Sequence, residues 1–144
     1  MSVRKSERQD GKLQVLRVAK ELCIYTLTLC KNQECFPKNQ RWLLTSKIAG
    51  EAVDMLTCIT AANSVVLKKD YTTKSDCQFR RAKQIEAKSH LSSLFTLMNV
   101  AVDMNGIEEH RIVHWTDLAV NLSELINGWM KSDKERIKVI LNIG

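Results

Sequence analysis

The sequence predicts an all-α protein, an up-down-up-down antiparallel four-helix bundle. Apolar residues recur every three or four positions through four segments of about 20 to 30 residues each. Short polar or proline-bearing breaks separate those segments, so consecutive helices become antiparallel neighbours. No stretch alternates apolar and polar residues as a half-buried strand would. A chain of 144 residues suits one compact core, and its one proline and five glycines are too few for a linker-rich organisation.

Residues 1–12 are polar and basic, with Gly11 near their end, and read as a loosely held arm. The bundle is expected over 13–131, followed by a tail at 132–144. In the first helix Leu13, Leu16, Lys20, Cys23, Leu27 and Cys30 fall on one stripe, and Val15, Val18, Leu22, Tyr25 and Leu29 on a second, nearly opposite one. A helix apolar on two sides wants two partners. The only proline, Pro37, ends this helix and lets the next restart just after the ring.

The second helix is expected from Arg41 to about Leu67, with Leu44, Ile48, Ala52, Met55, Ile59 and Ala62 forming a seam of almost coiled-coil regularity. Lys68 to Thr72 breaks the pattern, and Ser75 three residues before Gln78 offers capping-box chemistry for a third helix. That helix carries its seam through Ala87, Leu91, Leu94 and Met98, and Asn105-Gly106 supplies a left-handed stop. Glu108 to Met130 forms the fourth, with Ile112, Trp115, Leu122 and Trp129 on its apolar side and acidic residues at its positive N-terminal end. The tail, with Ile137, Ile140 and Leu141, admits either a short helix or an extended arm.

No apolar run is long enough to span a membrane, and the first residues lack the apolar core of a signal peptide. A cytoplasmic protein that makes no use of a membrane is the expectation. The five cysteines, Cys23, Cys30, Cys35, Cys58 and Cys77, show no C-x-x-C spacing and read as small buried hydrophobes, with Cys35 also admissible as a loop thiol. His110 and His114 stand four apart on one helix face, as two metal ligands would, but no further ligand motif accompanies them. Phosphate-loop, dinucleotide and nucleophile-elbow motifs are missing as well. The sequence therefore predicts no enzyme, no catalytic residue, no metal and no cofactor.

Charge is the remaining signal. The chain carries +6 overall. Residues 1–90 hold 17 Lys and Arg against 9 Asp and Glu, whereas 91–144 hold 5 against 7, so one surface should be basic. Arg80, Arg81, Lys83 and Lys88 lie along the first half of the third helix. Arg81 and Lys88 share a face, and Lys74 joins their row if the helix starts early enough. Arg80 and Lys83 fall where the Ala87 seam would run backward, so either the helix overhangs the bundle or its register shifts. Arg41 and Lys47 open the second helix and join the cluster if packing allows. These seven residues are the candidate phosphate contacts, set against the plain alternative of a solvated face. Phe36, Trp42, Tyr71, Trp115 and Trp129 either close the ends of the bundle or anchor an interface. With the two stripes of the first helix, they predict an oligomer.

Several stretches resemble one family. Lys5-Ser6-Glu7-Arg8, the run Leu13 to Lys31, Phe36-Pro37-Lys38 with Arg41-Trp42, then Ile48, Ala52, Ile59 and Ala62-Asn63-Ser64, carry the resemblance, with Arg80-Arg81, Gln84, Ala87, Trp115, Leu118 and Trp129 after them. They are similar to the four-helix-bundle family that includes the accessory variability proteins (Avd) of diversity-generating retroelements and proteins encoded in intervening sequences of large-subunit rRNA genes. The resemblance covers roughly residues 5–132 and lies mostly in packing positions. It implies a homopentameric barrel of bundles with a basic surface and no catalytic site. Such a protein would bind RNA, cDNA and a reverse transcriptase and support mutagenic copying of template RNA. The alternative is a structural or adaptor bundle that binds a protein partner or rRNA.

Overall fold

The structure is a computed structural model that describes residues 5–142, with side chains from Gln14 onward. Four long helices account for most of it: α1 (Lys5–Lys31), α2 (Ser46–Asn63), α3 (Lys74–Asn105) and α4 (Glu109–Ile140). No strand occurs among the described residues. Each helix packs against its neighbour in the chain, and α4 returns to α1. None of these helices is long and apolar enough to cross a membrane.

The helix α1 begins at Lys5, inside the expected arm, because Glu7, Arg8, Gln9 and Lys12 favour helix strongly enough to carry it through Gly11. Residues 1–4 of that arm, and the Leu13 side chain of the first stripe, lie outside the described residues. The two stripes are unequal. In the second, Val15, Val18, Leu22 and Leu29 are buried and Tyr25 is half-buried, whereas in the first Cys23 is buried, Leu16, Leu27 and Cys30 are half-buried and Lys20 is exposed.

After α1, the carbonyl of Asn32 accepts from the amides of Cys35 and Phe36, and the Asn32 side chain accepts from Glu34, so the chain reverses before Pro37. A 3-10 turn at Lys38–Gln40 and a π-helical turn at Arg41–Thr45 lead into α2. Leu44 is turned into the core, while Trp42 and Leu43 stay 79% and 74% exposed. Ile48, Ala52, Met55, Ile59 and Ala62 then form the expected seam.

The second helix stops at Asn63, short of Leu67, and the carbonyls that follow are bonded from outside it. Val65 O accepts from Arg80 Nη1 at 2.6 Å, and Val66 O from Thr72 Oγ1 at 2.6 Å. Thr72 Oγ1 also accepts from the Lys68 amide, which staples the loop across Asp70 in its left-handed conformation. The capping box of α3 is built by Thr73 and Asp76, not by Ser75 and Gln78. Thr73 Oγ1 accepts from the Asp76 amide at 3.0 Å, and the Thr73 amide donates to Asp76 Oδ2 at 3.1 Å. At its far end α3 stops at Gly106, whose φ of 60° is the left-handed stop anticipated from Asn105-Gly106.

The tail is not separate from the bundle. The helix α4 runs on from Met130 through most of it to Ile140, and Asp133 is among its buried residues. Trp115, Leu122 and Ile126 fill the centre of the core. Trp115 Nε1 donates to Thr26 Oγ1 at 2.9 Å, and that hydroxyl donates to Leu22 O, so the polar atoms of this buried pair are satisfied.

The cap assignment separates two neighbouring hydroxyls. Thr73→Ala should lower unfolding free energy by about 1 kcal/mol and Ser75→Ala by no more than a few tenths, measured by urea denaturation.

Candidate nucleic-acid interface

The candidate surface is organised around a residue that does not belong to it. Arg80 is fully buried, and its guanidinium grips Asp133 through Nε–Oδ2 at 2.5 Å and Nη2–Oδ1 at 3.0 Å. Gln84 Nε2 adds a third donor to Asp133 Oδ2 at 2.8 Å, and the guanidinium lies 5.3 Å from the centre of the Trp129 ring. Arg80, expected to meet phosphate, is therefore a core ion pair. The α3 register does carry it inward on the Ala87 seam, because Asp133 is there to compensate its charge.

This pairing sets the start of α3 beside the last third of α4. Lys74, Arg81 and Lys88 are all exposed, and their seven-residue spacing drifts by only about 20° per step, so they make one row about 21 Å long. Lys88 lines a groove against α4, which fixes that row on the α4 side of α3. On α4 the groove residues Val120 and Glu124 continue, at spacings of four and three, through Asn127 to Lys131, Lys134 and Lys138. These three lysines are exposed too. Two rows of three cations thus flank one seam, with Glu124 at its upper end and Glu135 at 3.8 Å from Lys138.

The other expected contacts lie elsewhere. Lys83 sits on the α2 side, 3.0 Å from Glu86, whose carboxylate also accepts from Cys58 Sγ. Glu86 raises the Lys83 pKa, and Lys83 in turn lowers that of Glu86. Arg41, in the π-helical turn rather than in α2, and Lys47, in the first turn of α2, are exposed next to the end of α3, where the Gln40 and Asn105 side-chain amides pair at 2.6 and 2.7 Å. About 25 Å of helix separates that end from Lys88. Packing does not bring Arg41 and Lys47 to the α3 cluster. Lys131, Lys134 and Lys138 were missed because the tail gave no stripe long enough to place it. Asp133, between Met130 and Ile137, was the available signal: a single acid among apolar seam positions asks for a buried cation.

The thiols offer no competing chemistry on this face. Cys23, Cys35, Cys58 and Cys77 are buried, and burial pushes Cys30 up to about 11, with Cys35 adding to it. Cys35, in the loop, is buried within 3.0 Å of Arg111 Nη1. His110 meets Glu108, while His114 stands edge-on to Tyr25; among the described residues no three potential ligands converge. No family model, no curated protein and no solved structure matches this chain.

The buried and exposed cations should respond oppositely to substitution. Asp133→Ala strands Arg80 and should cost about 3–5 kcal/mol in unfolding free energy. Arg81→Gln or Lys134→Gln should stay within about 0.5 kcal/mol of wild type, checked by the same denaturant titration.

Proposed function

We propose that this protein is a non-enzymatic, cytoplasmic accessory factor that binds RNA or cDNA through the α3/α4 cation rows and holds it beside a reverse transcriptase. The observation that carries this reading is the pair of rows: Lys74, Arg81 and Lys88 with Lys131, Lys134 and Lys138 on one seam. Each phosphate neutralised there releases counterions and adds a salt-dependent, sequence-independent increment of affinity. The retroelement setting rests on the family resemblance of residues 5–132. Positioning template and polymerase together accelerates copying without any catalytic group in the helper.

Self-association belongs to the same reading. The end-to-end pairings, α1 end with α4 start and α3 start with α4 end, support an up-down-up-down sense. They gather Trp42 and Leu43 at the end away from the α3/α4 cation rows. Two large apolar side chains exposed side by side suit an interface between copies, and the half-covered Leu16, Leu27 and Cys30 stripe offers a second. A homopentamer would repeat the cation rows five times and convert weak contacts into avidity for a long strand.

Replacing Arg81 and Lys88 with glutamine should weaken binding to all RNA sequences alike and flatten the log–log salt dependence by roughly one unit per lost contact, measured by fluorescence anisotropy. The Arg41→Gln, Lys47→Gln variant should keep the wild-type slope. Unchanged affinity in the first variant, with its helical circular dichroism intact, would move the reading to the adaptor class. Light scattering should give a pentameric mass for the wild type and a smaller one for Trp42→Ser, Leu43→Ser; a monomeric wild type would remove the assembly from the proposal.

A further inference from the structure

The cations of α3 lead to a groove. Between α3 and α4 a cavity of about 570 Å³ opens, lined by Leu91, Phe95, Ala119, Ser92 and Ser123, with Lys88 at the end nearest Arg81. Its size lies within the roughly 300–1,000 Å³ in which proteins hold small flat ligands. Leu91 and Ala119 are buried and Phe95 half-buried, so an aromatic face is supported from below by the core.

An apolar slot reached along a line of positive charge suits a polyanion that carries flat, apolar rings. We infer that the α3/α4 groove receives an unpaired base of an RNA strand whose phosphates lie on Arg81, Lys88 and the α4 lysines. The base rests on Phe95, and its polar edge meets Ser92 and Ser123. Glu124 stands across the groove from Lys88, because the Arg80–Asp133 contact sets the two antiparallel helices in that register, and its carboxylate repels phosphate from the α4 lip of the groove. A duplex has its bases stacked inward and presents only phosphates and groove edges, so it gains from the cations but not from the slot. The inference rests on the nucleic-acid reading of the cation rows and adds a base-binding subsite and a preference for single strands.

The test compares oligouridine, an abasic strand of equal length and an RNA duplex of equal length at low salt, using the full chain. Wild type should bind oligouridine about tenfold more tightly than the abasic strand, the scale of one base–aromatic stack. Val120→Trp, which fills the groove from its exposed edge, should reduce oligouridine to the abasic level and leave abasic and duplex affinities unchanged. Ser92→Trp fills the groove from the α3 side and gives the same readout if the first variant loses its helical signal. Equal binding of oligouridine and abasic strand by wild type, or full oligouridine affinity in both folded plugged variants, overturns the inference while the cation reading stands. Loss of reverse-transcriptase capture in those variants, with RNA affinities unchanged, overturns it in favour of a protein segment. Failure of all three strands to bind overturns the cation reading and the subsite together.

Discussion

The carboxylate of Asp133 and the guanidinium of Arg80 face each other with almost no surface left to water, and the arrangement of α3 against α4 depends on their meeting. Removing two charges from solvent costs several kcal/mol per ion, which is offset only where geometry is good and the remaining donors are occupied. Here two guanidinium nitrogens bracket the carboxylate, a third donates to Val65 O, and Gln84 donates to the same carboxylate. Sliding either helix by one turn would strand both charges. The pair therefore acts chiefly on register, a role in which a buried polar contact penalises the alternatives more than it stabilises the native state.

Two further features follow from that register. The Val65 carbonyl, drawn to Arg80, is withdrawn from helical bonding just past α2, and the loop stapled by Thr72 takes over. The α4 lysines are also brought level with the start of α3, so that a basic seam forms from two helices neither of which is strongly charged overall, α3 holding five cations against three acids and α4 five against five. Charge segregation along the chain thus gives way to charge gathering in space. The acids of α4 that balance its lysines in sequence do not all share their strip. Glu124 and Glu135 are close, whereas Asp133 is internal and spent on Arg80.

The opposite end is held by different chemistry. Trp115 is anchored by Thr26 and meets Phe36 edge-on at 6.3 Å between ring centres, while Asn105 ties the end of α3 to Gln40 and to the Cys35 carbonyl. These contacts close the core above the π-helical turn, so Trp42 and Leu43 have no place in it. The paired cation rows of α3 and α4 thus lie at one end of the molecule, and Trp42 and Leu43, beside Arg41 and Lys47, at the other.

Periodicity made the four helices legible: the seams of α2 and α3 and the Gly106 stop stand where the spacing put them, because burial of a regular apolar stripe is a local property of sequence. Net basicity and the shared face of Arg81 and Lys88 were legible for the same reason. The capping hydroxyl was placed two residues late, since Thr73 and Ser75 both precede a side chain able to complete a box and only the backbone path out of the Thr72 loop selects between them. The end of α2, the fate of Arg80 and the membership of the tail in α4 were decided by tertiary structure alone. Each depends on a partner far away in sequence: Val65 and Asp133 for Arg80, and Arg80 for Asp133. Sequence by itself determined which residues must be covered; only the packed helices decided which charge could be buried, because burial of a charge is set by the partner that meets it.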